Sequence, residues 1–147
     1  MIQVLKKASV SLMALMMVFT TALAGGKVTQ NKRTSSFNWN PVMDAIVQVE
    51  SGGNPYAKSG NSVGAMQITP VLVKECNNIL VKRNSKKRYT LTDRYSVEKS
   101  KEMFLLIQQY FNPENNVEKA IRSWNGGVRY SVRATNEYYK KVLARMK

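Results

Sequence analysis

The chain contains no histidine, one cysteine and 9 acidic residues against 23 lysines and arginines. Without histidine there is no Ser-His or Cys-His nucleophile pair and no histidine-ligated zinc. A single cysteine, Cys76, excludes an internal disulfide. It recurs with Leu72, Ile79 and Leu80 at helical spacing, which marks a buried thiol rather than a reactive one. No alternation of polar and apolar residues is long enough for a substantial sheet, and no internal repeat is visible. Chemistry must therefore come from carboxylates, hydroxyls, amides or backbone groups. Neither a metal nor an organic cofactor is expected.

The start of the chain differs in kind from the rest. Met1-Ile2-Gln3-Val4-Leu5-Lys6-Lys7 leads into an apolar run from Ala8 to Leu23, closing on Ala22-Leu23-Ala24. A basic start, an apolar centre and an A-x-A-like end describe a secretory signal peptide over residues 1–24. The competing reading, a transmembrane anchor, is disfavoured by the shortness of the run and by Ser9, Ser11, Thr20 and Thr21 within it. No other segment reads as a membrane span. An exported, soluble protein is expected, in a periplasm or at the exterior of a cell envelope. About 120 residues then remain, enough for one domain with one core. Loss of Lys6 and Lys7 with the signal lowers the formal net charge from +14 to +12. Such a balance calls for anionic surroundings: wall polymer, membrane surface or nucleic acid.

Residues 25–37 are polar, basic and aperiodic, and read as a linker. The domain proper is expected over 38–147. Asn40 is a plausible N-cap with Pro41 at the first helical position, and Gly52-Gly53 stops that helix. Asn54 to Ile68 is rich in Gly, Ser and Asn and predicts an irregular loop or short hairpin. Thr69-Pro70 starts a second helix that runs to about Leu80 or Val81. Lys82 to Arg88 is a charge run without apolar period, either a solvated loop or a patch that holds an anionic polymer. A third helix is predicted from about Ser96 to Phe111, with Val97, Ser100, Phe104, Leu105 and Gln108 inward. In a fourth, Val117, Ala120, Ile121 and Trp124 share a face until Asn125-Gly126-Gly127. The last begins near Thr135, with Tyr139, Val142, Leu143 and Met146 toward the core. The fold class is mainly α: a single helical domain with an irregular Gly-rich loop or small hairpin.

Glu50 sits where the first helix ends. At about 100° per residue, Val42, Ala45, Ile46 and Val49 share one face and Glu50 projects from its edge. A carboxyl held against apolar side chains loses hydration of its charged form, so its pKa rises and it can serve as a general acid. A solvated or N–H-bonded glutamate at a helix end is the alternative from these residues alone. Three distant turns share an unusual composition: Glu50-Ser51-Gly52-Gly53-Asn54-Pro55, Ser62-Val63-Gly64-Ala65-Met66-Gln67-Ile68, and Trp124-Asn125-Gly126-Gly127. Glycines let a ligand approach the backbone, amides bind hydroxyl and acetamido groups, and an indole can stack on a sugar face. Together they suggest an extended, uncharged polar cleft.

These motifs, in this order, resemble the catalytic domain of soluble-type lytic transglycosylases, kin of goose-type lysozymes, over about residues 41–146. The family's Glu-Ser-Gly helix end matches Glu50-Ser51-Gly52, and its following Asn-Pro matches Asn54-Pro55. Its Gly-Leu-Met-Gln turn appears as Gly64-Ala65-Met66-Gln67 with Ala65 for leucine, and Ile68-Thr69-Pro70 continues the match. Its Ala-x-x-x-Tyr-Asn-x-Gly segment appears from Ala120 to Gly127, with Trp124 for tyrosine. A final Thr-x-x-Tyr-Val-x-x-Val pattern falls on Thr135, Tyr138, Tyr139 and Val142, with Tyr139 for valine.

The resemblance implies a lysozyme-like fold, peptidoglycan glycan strands as substrate, and Glu50 as catalytic acid and base. It implies that Tyr138 hydrogen-bonds near Glu50, that Met66 and Gln67 line the sugar path, and that Trp124 and Asn125 hold sugars. Ser51 either supports its turn or contacts substrate. Most glycosidases use two carboxylates, yet no Asp or Glu lies between Glu50 and Glu75. Glu75, Glu98, Glu102, Glu114 and Glu118 on helices, with Asp93 in a loop, look solvent-facing or structural. This fits a route in which the substrate's C6 hydroxyl closes on C1 to give a 1,6-anhydro sugar. A hydrolytic muramidase on the same fold, and a non-catalytic wall-binding factor, are the competing readings. Small domains of this family serve secretion, conjugation or phage entry, so such an envelope machine is a candidate partner. A monomer is expected. Specific nucleic-acid binding is not, because no aromatics interleave the basic run.

Overall fold

The structure, a computed structural model, describes residues 36–147. The expected signal peptide and most of the expected linker lie outside the described residues. Five helices and one small hairpin follow in order: α1 Asn40–Ser51, β1 Lys58–Ser59, β2 Ser62–Val63, α2 Pro70–Lys82, α3 Val97–Phe111, α4 Val117–Gly126 and α5 Asn136–Leu143. A 3₁₀ turn, Leu91–Tyr95, precedes α3. The fold is mainly helical, as the periodicity predicts.

Helix α1 starts one residue earlier than predicted. Asn40 is its first residue and Trp39 occupies the cap position without a side-chain cap bond. The reason is burial: Trp39 is inserted into the core with its ring 5.6 Å from that of Phe104. The Asn38 side chain instead accepts the Asn40 N–H at 3.1 Å. At the other end Gly52 adopts φ 62° and returns its N–H to the last turn, a left-handed stop that glycine takes without strain. Thr69, Ser96 and Asn116 cap α2, α3 and α4 by accepting the N–H three residues on. Helix α2 extends to Lys82, just past the predicted end.

The core gathers the inner faces of all five helices around Ile46, Met66, Ile79, Phe104, Ile121 and Val142. On α3, Met103 and Leu106 are buried alongside Ser100, Phe104 and Gln108, a wider face than the sequence indicates. Leu143 is a correction: it ends α5 at 41% exposure rather than facing the core, while Met146, beyond the helix, packs back against it. Cys76 is fully buried, and burial together with nearby Glu75 pushes its thiol up to about 12.

Between α1 and α2 the chain makes the small hairpin, Lys58 pairing with Val63 and Ser59 with Ser62. Gly64 follows at φ 83°, and a Cβ there would lie 1.8 Å from the Arg94 carbonyl oxygen. Only glycine fits. The buried Arg94 guanidinium donates to the Leu91, Asn61 and Ile68 carbonyls at 2.9, 3.1 and 3.3 Å, tying hairpin and 3₁₀ turn together. A buried cation with three carbonyl partners satisfies the donors that burial would otherwise strand. The charge run after α2 is an exposed loop apart from half-buried Ser85.

Candidate active site

Glu50 comes off the last turn of α1, half-buried, where the left-handed stop turns the backbone aside and leaves the side chain facing a cleft. The Tyr138 hydroxyl, on α5, donates to Glu50 Oε1 at 2.7 Å. Burial raises the Glu50 pKa, and the Tyr138 bond opposes that rise without cancelling it. Burial and the adjacent carboxylate also push the Tyr138 phenol upward, so it remains a proton donor. A carboxyl that keeps its proton beside a fixed phenol can deliver that proton and then hold the resulting charge.

The cleft beside Glu50 has a volume of about 240 Å³ and is lined in part by Ser59, Ser62, Gln67, Thr69, Leu72 and Trp124, with Asn125 at its edge. Four predicted residues therefore meet here: Glu50, Gln67, Trp124 and Asn125. Gln67 has φ 51° and its amide donates to the Gly64 and Ala57 carbonyls at 2.9 and 3.2 Å, so it also braces the turn. Trp124 packs its ring 5.2 Å from Phe104 and donates its indole N–H to the Met66 carbonyl at 3.3 Å.

Two predicted residues are placed otherwise. Met66 is fully buried in the core, so its carbonyl rather than its side chain connects to the cleft wall. The resemblance puts it on the sugar path, but the turn around it, with Gly64 and Gln67 both at positive φ, carries its side chain into the core. Ser51 Oγ lies 2.9 Å from the Ala65 carbonyl, 3.2 Å from the Val47 carbonyl, and accepts the Gly53 N–H at 3.2 Å. Its hydroxyl is engaged in joining the first two Gly-polar turns.

Thr69, Leu72, Trp124 and Asn125 also line an adjoining groove of about 550 Å³, whose wall adds Ile107, Phe111 and Val128. The extended cleft is thus polar beside Glu50 and largely apolar beyond it, not uniformly polar. The apolar half is contributed by faces of α2 and α3, which turn composition does not register. Ser59, Ser62, Thr69 and Leu72 were not picked out from sequence as site residues. From sequence, Thr69 signals a helix start and Leu72 a core face, and neither role points to a cleft.

Of the remaining acids, Glu75 is half-buried and lines the apolar groove rather than facing open solvent. Asp93 caps the 3₁₀ turn. Glu102 pairs with Lys87 and Lys99, Glu118 with Arg122, Asp44 with Lys101 and Glu137 with Lys140. Among the described residues no group of three or more His, Cys, Asp or Glu side chains could hold a metal ion. No helix among them is long and apolar enough to cross a membrane.

A helical domain with a glutamate at a helix end, facing a cleft flanked by a small hairpin, has a lysozyme-like organisation. Residues 27–143 match the family described as the transglycosylase SLT domain. The chain belongs to that family, and so is a lytic transglycosylase catalytic domain of the lysozyme-like superfamily, acting on peptidoglycan. No curated protein and no solved structure matches it.

Proposed function

We propose that this chain is an exported lytic transglycosylase that cleaves the β-1,4 bond between N-acetylmuramic acid and N-acetylglucosamine, with Glu50 acting first as acid and then as base. The observation that carries the proposal is the Tyr138–Glu50 hydrogen bond at 2.7 Å in a cleft whose lining holds no second carboxylate. Protonated Glu50 gives its proton to the glycosidic oxygen as the bond to C1 breaks, and the leaving sugar departs with a free hydroxyl. The resulting carboxylate, held by the Tyr138 hydroxyl, removes the proton from the muramic acid C6 hydroxyl. That oxygen closes on C1, so a 1,6-anhydro ring forms without water and Glu50 is again protonated. Gln67, Trp124 and Asn125 are the sugar-contacting side chains in this reading, with Ser51 and Met66 supporting the turns behind them. Residues 1–24 act as export signal and 25–37 as linker to a monomeric domain. The basic start, apolar run and Ala22-Leu23-Ala24 end support this part of the reading.

Glu75 in the adjoining groove gives hydrolysis its one supporting observation, since a second carboxylate could activate water there. Mass analysis of products from purified sacculi separates the two. Anhydromuramic ends are expected, and reducing muramic ends would replace this proposal with a muramidase. A protein that binds sacculi and releases nothing would be a non-catalytic wall factor.

A further inference from the structure

The cationic loop at the C-terminal end of α2 plays no part in the cleft. We propose that it is a docking surface for an anionic lipid bilayer. Lys82, Arg83, Lys86, Lys87 and Arg88 fall within seven residues that include no acid. Among the described residues, only Lys87 of these five is paired with a carboxylate, that of Glu102. Lys82 donates to the Tyr110 hydroxyl, Arg83 to the Gln109 side-chain oxygen, and Arg88 to the Ser85 and Lys87 carbonyls. All three of those arrangements leave the charge uncancelled. Lys86 is exposed between them.

These cations sit on a fixed platform. The Asn77 amide donates to the Tyr89 carbonyl and accepts the Tyr89 N–H, both at 2.8 Å. Tyr89 is buried and its hydroxyl reaches Glu102 at 3.2 Å, next to the Lys87 pair. The loop is therefore clamped to α2 and α3, and holding its charges together carries little additional ordering cost on binding.

A bilayer fits better than a wall polymer because the cations flank exposed apolar surface. Val81 is 56% exposed beside Lys82, and the Tyr110 ring, 37% exposed, lies under the Lys82 ammonium at 5.3 Å. At a lipid surface, tyrosine settles at headgroup level, lysine stems lie along apolar surface, and each cation near anionic lipid strengthens binding. Geometry supports the same assignment. Leu72 lines the cleft at the start of α2, and ten residues at 1.5 Å each place Lys82 about 15 Å further along the helix. The charged end is therefore separated along α2 from the cleft beside Glu50.

The inference rests on the proposed export for where such a membrane is met, but its test does not require catalysis. The chain without its export signal, residues 25–147, is sedimented with vesicles of phosphatidylcholine alone or mixed with phosphatidylglycerol. Retention on the anionic vesicles is expected, weakening as salt rises. Neutralising Lys82, Arg83, Lys86 and Arg88 together to glutamine is expected to weaken it by several hundredfold, at about fivefold per cation. Turnover of soluble glycan strands is expected to stay unchanged, which also reports that the variant is folded. Val81→Ser with Tyr110→Ser is expected to weaken vesicle binding while sparing binding to polyphosphate. Equal retention on neutral vesicles, or an unaltered quadruple variant, overturns the proposal. If the serine pair has no effect and the quadruple variant loses polyphosphate equally, the surface serves an anionic polymer instead. Vesicle binding without lytic activity would sink the functional reading and leave this one standing.

Discussion

The Tyr138 hydroxyl and Glu50 Oε1, 88 residues apart in sequence, are joined by a 2.7 Å hydrogen bond between the end of α1 and the first turn of α5. The two groups act on each other in opposite directions. Burial favours the neutral carboxyl and outweighs the phenol, which favours its anion, so the Glu50 pKa is raised on balance.

Glu50→Gln is expected to abolish lytic activity, a loss on the order of 10³-fold or more, because one group performs both proton transfers. The fold should gain stability near neutral pH. A carboxyl whose folded pKa lies above 4.5 binds its proton more tightly when folded, so its contribution is complete below 4.5 and declines as pH rises through the folded value. Thermal melts of both proteins across this window should diverge as pH increases. Parallel curves would show that Glu50 is not held in its neutral form.

Tyr138→Phe removes the bond that lowers the Glu50 pKa while keeping the ring. The alkaline limb of the pH–rate profile should move to higher pH, and the maximal rate should fall roughly 10- to 100-fold with the loss of a charge-assisted hydrogen bond. An unmoved profile with an intact rate would reduce Tyr138 to packing.

Arg122 is buried on α4 and links Glu118 at 2.7 Å, the Val132 carbonyl at 3.0 Å and Thr135 Oγ1 at 3.2 Å, with its guanidinium 4.3 Å from the Tyr139 ring centre. It thereby fixes the approach to α5 and, through it, Tyr138. Arg122→Met should cost about 1–3 kcal/mol of stability, mainly through loss of the charged-donor bonds to the Val132 carbonyl and to Thr135 Oγ1. Combined with Tyr138→Phe, its effect on rate should be less than the product of the two single effects. Strict multiplicativity in the double variant would argue against this link.

Gly64→Ala places a methyl where the Arg94 carbonyl already lies and forces a side chain into positive φ. A loss of about 2–4 kcal/mol is expected from strain and overpacking. Urea denaturation measures it, and a change below about 1 kcal/mol would mean the turn relaxes freely.

Cys76, fully buried with its thiol pushed up to about 12, should resist alkylation at pH 8 in the native protein and react only on unfolding. Rapid labelling of the folded chain would show that the α2–α3 contact opens.

The helices were legible because each carries its own signals. Thr69-Pro70 caps α2 as read, and Gly52 stops α1 as read, since both depend on backbone groups within a few residues. Asn40 is not the cap its sequence context predicts, because the burial of Trp39 against Phe104, a contact 65 positions away, sets the helix start. Leu143, one position on from the fully buried Val142, lies outside the buried face of α5, because Val142 alone meets the core at this end of the helix. Met66 was drawn toward the cleft by its motif, yet its direction depends on the left-handed Gln67 beside it.

The sequence by itself determined the fold class, the family, and Glu50 at a helix end with no histidine chemistry available. Those features rest on local composition and short-range spacing. Tertiary structure decided which groups surround that carboxyl. It brought Tyr138 across from α5, engaged Ser51 in the turn, turned Met66 inward, and built half of the groove from Leu72, Ile107 and Phe111. Burial and hydrogen bonding between distant segments depend on packing directions that residue spacing does not encode. Burial raises the Glu50 pKa, and the hydrogen bond across to α5 holds its phenol partner in place.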